Sequence, residues 1–312
     1  MQQPSHPDRL CVIFNPTARG DKARSLGRFL RDAGASGDWI PTQGPGTARG
    51  LAREAVESGR RRIIAAGGDG TVFEVMNGIA DVPDGFGRAA LGVLPMGTAN
   101  VFAHELGMPR DLVRAWRSLE AATVRKVDGG LAEYHDDAGV PRSARFAIVA
   151  GAGLDARAVQ QVDWKWKRRV GKLAYIAAAM RALLFFQDAV RCTIGGRSFR
   201  GRVVLAGNGH LYAGEIDVFR GGRLDSGHLQ VSGVDRITPV VLARCLQAFL
   251  TGRWGQHSRC ASASVESLAL ESDGPGPVPL QLDGEFVGWL PATLRVLPGA
   301  VRVLVPGESG GR

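Results

Sequence analysis

The apolar run RIIAA, Arg62 to Ala66, passes directly into GGDGTVFE, Gly67 to Glu74. So short an uninterrupted apolar run reads as a strand covered on both faces. The glycines at its end either turn the backbone through positive φ or let it approach another group closely. The next residues, VFEVMNGIA, carry helical spacing. Strand, glycine loop and helix in immediate succession restrict the chain to a sheet flanked by helices, with the loop at the strand's carboxyl end.

The same order recurs on either side. LCVIF reads as a buried strand, DKARSLGRFLRDAG as an amphipathic helix closed by Gly34, and TARGLAREAVESG as a helix with Thr47 as N-cap and Gly59 at its end. The strand ALGVLP and a helix from about Ala99 follow. This alternation predicts an α/β domain with a mostly parallel sheet over residues 8–127. Beyond Val127 the pattern turns to period-two segments such as RSFRGRVVLAG, SVESLALES, VPLQLDGEFVG and ATLRVL, interrupted by helical stretches at roughly Leu154 to Gln187 and Pro239 to Leu250. A mainly antiparallel, β-sandwich-like domain over residues 128–306 is expected, its last strands free to pack back on the first domain.

A chain of 312 residues supplies two cores without disulfides or metals. Cys11, Cys192, Cys245 and Cys260 form no CxxC pair, so a reducing compartment is expected and a structural zinc site is not. MQQPSHPDRL lacks the apolar core of a secretory signal, and LAYIAAAMRALLFF, Leu173 to Phe186, is shorter than a membrane span and holds Arg181 in its middle. The expectation is a cytoplasmic protein. Its net charge of +9 asks for an acidic partner, and residues 142–172 hold eight Lys/Arg against two Asp. Within them WKWKRRVGK, Trp164 to Lys172, reads either as a solvated helix start or as an interfacial contact with an anionic membrane surface; the tryptophans favour the second. No RRM or KH signature accompanies these charges, and nucleic acid is not expected.

Three small, hydrogen-bonding segments follow predicted strands of the first half: NPTARG, GGDGT and PMGTAN. Open α/β sheets bind ligands at the carboxyl ends of their strands, and backbone N–H groups near helix N-termini suit phosphate. Singly, NPTARG is also an ordinary Asn-Pro turn and GTAN a capped helix start. GGDGT adds Asp69, a carboxylate able to hold magnesium through water. It lacks the lysine of GxxxxGK[ST] and the spacing of GxGxxG, which disfavours both fingerprints. In LQLDGEFVG, Asp283-Gly284 reads as a hairpin turn, followed either by a solvated Glu285 or by a general base held on a rigid hairpin.

In order, NPTARG, GGDGTVFEVMNG, LGVLPMGTANVFAHELGMP, GAGLDA, GKLAYIAAAMRALL, AGNGHLYAG, LQLDGE and VRVLVP resemble the catalytic-domain family of diacylglycerol kinases, the bacterial soluble lipid kinases related to sphingosine kinases. The resemblance runs through nearly the whole chain. It implies a nucleotide-binding α/β domain and a β-sandwich-like lipid domain with the active site in the cleft between them. It also implies ATP and Mg²⁺ as cofactors, a lipid as substrate and peripheral association with the inner face of the membrane; the apolar run from Leu173 would pack either on that membrane or on the partner subunit of a homodimer.

By motif position the resemblance puts Asn15, Arg19, Thr42, Gly67, Gly68, Asp69, Gly70, Thr71 and Thr98 around ATP, with Glu74 and Asn77 supporting that wall. Asp69 would position magnesium, Glu285 would accept the proton of the lipid hydroxyl, and Asp155 would belong to a charged network near the phosphates. Two departures stand out. Val101 follows Asn100 where many members carry aspartate. In RGGRLDSGHL, Ser226 replaces the aspartate of a structural magnesium site, to which Arg223 and His228 would give backbone carbonyls. The implied reaction is phosphorylation of diacylglycerol to phosphatidic acid; a sphingoid base, a soluble alcohol or a non-catalytic binding role are the alternatives.

Overall fold

The computed structural model describes residues 8–16, 36–161, 189–219, 221–235, 247, 260–274 and 276–307. Arg19, the helix expected over residues 21–34, the basic stretch 164–172, the apolar run after it and, apart from Gln247, the helical stretch from Pro239 to Leu250 lie outside the described residues. The chain divides into two compact units. One comprises the residues up to Val127 together with those from Gly299 onward, the other Asp128–Pro298.

The first unit is built on strands β1 (Leu10–Phe14), β2 (Gly37–Pro41), β3 (Arg62–Gly67) and β4 (Ala90–Pro95). β1 pairs in parallel with β2 and β3, and β3 in parallel with β4. A last parallel neighbour comes from the far end of the sequence: in β17 (Glu285–Val305), Val303 lies opposite Leu91 of β4. β4 is buried throughout and β3 in all but its first residue, as strands covered on both faces must be, whereas edge strand β2 is half-buried.

Around them lie α1 (Thr47–Glu57), α2 (Asp69–Ala80), α3 (Gly85–Arg88), α4 (Val101–Glu105) and α5 (Leu112–Glu120). α1 buries Ala48, Ala52, Ala55 and Val56, and α2 buries Val72, Val75, Met76 and Ile79. The two helices approach closely at Gly78, where an added β-carbon would lie 2.8 Å from that of Ala52. Thr47 is not the N-cap expected from the sequence. Gly46 holds that position at φ 85°, and the Thr47 hydroxyl turns back to the Gly44 carbonyl (2.7 Å). α2 starts at Asp69, three residues before the expected Val72, so Gly70 and Thr71 lie in its first turn. α4 starts at Val101 rather than near Ala99.

The second unit is antiparallel. Its strands are β5 (Thr123–His135, entering from the first unit), β6 (Pro141–Phe146), β7 (Val149–Gly153), β8 (Val190–Ile194), β9 (Arg197–Gly201), β10 (Val203–Gly207), β11 (Leu211–Tyr212), β12 (Ile216–Asp217), β13 (Leu229–Val234), β14 (Cys260–Val265), β15 (Ser267–Ser272), β16 (Pro279–Leu282) and the first part of β17. The order β14-β13-β10-β7-β16-β17 forms its main run, with β15 on β17 and β8 on β15. Helix α6 (Leu154–Gln161) leaves the end of β7. No helix among the described residues is long and apolar enough to cross a membrane.

Candidate active site

Parallel strands in the order β4-β3-β1-β2 bring their carboxyl ends to one edge of the first unit, and backbone bonds tie the ends together. The Thr42 N–H donates to Phe14 (2.8 Å), that of Asn15 to Ala66 (3.3 Å), and those of Met96 and Gly97 to the Gly67 carbonyl (2.9 and 3.1 Å). Asn15, Thr42, Gly67–Thr71 and Thr98 therefore share one rim, with Thr42 buried and Thr98 exposed.

None of Gly67, Gly68 and Gly70 has positive φ. Gly67 and Gly68 serve close approach. A β-carbon on Gly67 would lie 2.6 Å from that of Thr71, and one on Gly68 would lie 3.2 Å from the Cα of Gly97. Gly97 is itself held by Asn100, whose Oδ1 accepts the Gly97 N–H (2.8 Å) while Nδ2 donates to the Gly97 carbonyl (3.2 Å). Gly68 offers no capping side chain to α2, whose positive end lies at the rim; the Asp69 carboxylate meets its own N–H, and the Thr71 N–H donates to the Gly68 carbonyl (3.0 Å).

Asp69 faces the start of α4. Its Oδ1 accepts the Phe102 N–H (3.4 Å). Burial pushes its carboxyl above the ordinary value, against the lowering pull of the N–H groups of Phe102, Val101, Asp69 itself and Asn100. Val101 is buried at that helix start. Glu74 does something the sequence did not announce: its carboxylate accepts the N–H groups of Gly46 (2.7 Å) and Ala48 (2.9 Å), closing the N-terminus of α1 from another helix. It thereby ties the segment after Thr42 to α2. Asn77 is buried on α2 and bonds back to the Phe73 carbonyl (2.9 Å).

In the second unit LDGE forms the hairpin between β16 and β17. Leu282 pairs with Glu285, and Asp283 (φ 50°) and Gly284 (φ 82°) both have the positive φ that a type I′ turn demands. The Asp283 carboxylate accepts three backbone N–H groups, from Ala147 (2.6 Å), Ile148 (2.9 Å) and Val149 (2.9 Å). Its own N–H donates to the Val149 carbonyl (2.8 Å). Four bonds thus clamp the turn onto the start of β7, and Glu285, half-buried, is the first residue beyond it.

Asp155 lies in the first turn of α6 and is joined by two residues that the sequence did not single out. The Tyr212 hydroxyl donates to its Oδ1, and Gln281 Nε2 donates to Oδ2 (2.9 Å). Burial raises the Asp155 carboxyl above its ordinary value, and these two bonds oppose the rise. Gln281 Oε1 in turn accepts the Gly284 N–H (2.7 Å).

Arg223, Ser226 and His228 form a loop closed upon itself. The Ser226 N–H donates to the Arg223 carbonyl (3.2 Å), the Ser226 hydroxyl to the His228 carbonyl (3.1 Å), and His228 Nδ1 meets the Ser226 carbonyl (2.9 Å). Asp225 is paired with the Arg223 guanidinium (2.9 Å), and Asp128 Oδ2 accepts the Gly227 N–H (2.6 Å). Both expected carbonyls are engaged by Ser226, and the carboxylates that meet this loop, Asp225 and Asp128, take the Arg223 guanidinium and the Gly227 N–H. This donor set does not fit a magnesium ion, which takes carboxylate and water oxygens in a strict octahedron. Burial pushes the Cys11 thiol up to about 11 and the Cys192 thiol up to about 12. Neither is a nucleophile at neutral pH.

Residues 9–132 match the model of the diacylglycerol kinase catalytic domain, and residues 148–305 match that of the YegS C-terminal NAD kinase beta sandwich-like domain. Among curated proteins, the chain is 29% identical over 305 residues to a diacylglycerol kinase of Staphylococcus carnosus, covering 96% of this chain and 95% of that one. It is 30% identical over 306 residues to a Salmonella arizonae protein named "Probable lipid kinase YegS", covering 96% of each. Among solved structures, a diacylglycerol kinase from Bacillus anthracis superposes with a TM-score of 0.73 at 23% identity, covering 96% of this chain and 97% of that one.

Proposed function

The chain belongs to the diacylglycerol kinase family and is a lipid kinase, and from that premise we propose that it transfers the γ-phosphate of ATP to the hydroxyl of a lipid, diacylglycerol giving phosphatidic acid. In this reading Asn15, Arg19, Thr42, Gly67–Thr71 and Thr98 bind the nucleotide. The start of α2, where Gly68 offers no capping side chain, fits a phosphate group by the charge of the helix end. Asp69, the carboxylate beside that helix start, suits a water-linked magnesium ion. The metal would neutralise phosphate charge during transfer. Glu74 acts on the nucleotide through the segment it holds.

The observation that carries the proposal is the clamped LDGE turn. Phosphoryl transfer needs alignment and charge neutralisation more than covalent help, so a rigidly placed carboxylate is the main demand on the lipid half. Glu285 accepts the proton of the lipid hydroxyl as its oxygen bonds to the γ-phosphorus. The bond from that phosphorus to the bridging oxygen breaks, and ADP leaves with the electron pair. The two tryptophans and five cations of residues 164–172 would hold the enzyme on an anionic membrane surface.

Transfer from γ-labelled ATP to diacylglycerol, monoacylglycerol, sphingosine and a total lipid extract in mixed micelles tests the reading, with Glu285→Gln in parallel. Labelling of diacylglycerol that disappears in the variant is the expected result. Full labelling by Glu285→Gln would remove the base, and labelling of another lipid alone would replace the substrate.

A further inference from the structure

The structure assigns to Gln281 a task in this reaction: we propose that it is the positioning residue that sets the height of the turn carrying Glu285. The inference rests on the reading of Glu285 as the base. Gln281 is 1% exposed, and both ends of its amide are engaged, Nε2 on the Asp155 carboxylate at 2.9 Å and Oε1 on the Gly284 N–H at 2.7 Å. The amide has a single workable orientation. A backbone N–H only donates, so reversing the amide would set its NH2 against the Gly284 N–H, donor against donor.

The surroundings are cut to this arrangement. Gln281 lies opposite Gly151 in the β7–β16 register. A β-carbon on Gly151 would come 2.5 Å from Gln281 Nε2 and would overlap Asp155 Oδ2 as well. The absent side chain is the space in which carboxylate and amide meet. From the other side the Tyr212 hydroxyl donates to Asp155 Oδ1, so the carboxylate is held at both oxygens. A continuous path, Tyr212 to Asp155 to Gln281 to Gly284, joins strand β11 and helix α6 to the tip of the hairpin.

Asp283 and Gln281 divide the work on that turn. Asp283 fixes it laterally on residues 147–149, whereas Gln281 bonds the N–H of the residue next to Glu285. Loss of the Gln281 bond frees the tip to rotate about the Asp283 clamp. Proton abstraction tolerates little displacement of the base.

The test compares Gln281→Leu, Gln281→Glu and Glu285→Gln in the full chain, with lipid phosphorylation measured from pH 5.5 to 8.5. Gln281→Leu is expected to lose at least tenfold in kcat with the KM for ATP unchanged. Gln281→Glu keeps the acceptor for Gly284 but sets a second carboxylate against Asp155. Its kcat relative to wild type is expected to be low at pH 8 and to recover as the pH falls and the pair shares a proton. A role in packing alone gives no such recovery. Hydrogen exchange at the Gly284 amide reads the bond without the reaction: fast in Gln281→Leu, slow in wild type and in Gln281→Glu.

Turnover of Gln281→Leu within twofold of wild type, beside an inactive Glu285→Gln, would overturn the positioning role alone. Full turnover of Glu285→Gln would overturn the base, and the positioning role with it. Should Gln281→Leu fail to fold, a flat pH ratio for Gln281→Glu would overturn the proposal by itself.

Discussion

Gly68 and Gly97 meet backbone against backbone: a β-carbon on Gly97 would overlap the Cα of Gly68, whereas one on Gly68 would stand 3.2 Å from the Cα of Gly97. The two loops at the rim of the first unit are thus packed as tightly as main chains allow, and the asymmetry orders two variants. Gly97→Ala also crowds Asn100 Oδ1, at 2.7 Å. It should cost about 1–3 kcal/mol, the usual range for overpacking, and raise the KM for ATP. Gly68→Ala needs a shift of only a few tenths of an ångström and should cost less. Urea denaturation and ATP titration of both variants check the order; a Gly68→Ala variant as damaged as Gly97→Ala would contradict it.

Glu74 supplies a second prediction. Its carboxylate takes the N–H groups of Gly46 and Ala48, and Glu74→Ala leaves both without that acceptor. A loss of about 2 kcal/mol is expected, from two hydrogen bonds to a charged group in a partly solvated place. Glu74→Gln, which keeps one acceptor oxygen, should lose about half as much. If Glu74 acts through the Thr42–Gly46 segment, both variants raise the KM for ATP more than they lower kcat. A fall in kcat alone would place Glu74 at the chemistry instead.

How far these features were legible in the sequence depended on how local their causes are. The strand-to-helix passage at Gly67–Thr71 and the Asp283-Gly284 hairpin follow from a few adjacent residues, and both could be read. Thr47 has the local signature of a cap, but the group that takes the N–H groups at the start of α1 is Glu74, 28 residues from Gly46 and 26 from Ala48. Gln281 was invisible for another reason. Between Leu280 and Leu282 it has the alternation of a solvent-facing strand residue, but all four residues of β16 are buried. Tyr212 appeared only as one letter of AGNGHLYAG, since nothing local pairs it with Asp155.

Asp155 gives a prediction in pH. Its carboxyl is raised above 3.8 by burial, so the folded chain keeps this proton to higher pH than the unfolded chain. The associated stability is fully present below about 3.8 and is lost as the pH rises through the raised value. Asp155→Asn cannot titrate. The stability of wild type relative to Asp155→Asn should therefore fall with rising pH from 3.8 upward and then level off. The variant also has only one acceptor oxygen for Tyr212 and Gln281. Denaturation curves of both proteins across pH 4–8 measure the difference, and a difference rising with pH would contradict the assignment.

The last prediction concerns the loop at Ser226. Its hydroxyl donates to the His228 carbonyl and its N–H to the Arg223 carbonyl, so the loop is held by hydrogen bonds where the family's pattern puts a metal ion. Without nucleotide, wild type should melt at the same temperature in EDTA and in millimolar magnesium. Ser226→Asp replaces a donor by an anion facing carbonyl oxygens. In EDTA it should melt lower by several degrees, roughly the effect of 1–2 kcal/mol on a domain of this size. Magnesium then has the carboxylate it lacked beside the Arg223 and His228 carbonyls, and it should restore the loss in a saturable way, as a ligand of the folded state does. A magnesium-dependent melting temperature in wild type would show that the loop takes a cation despite Ser226. A Ser226→Asp variant that magnesium does not restore would show that more than one side chain separates this loop from a metal site.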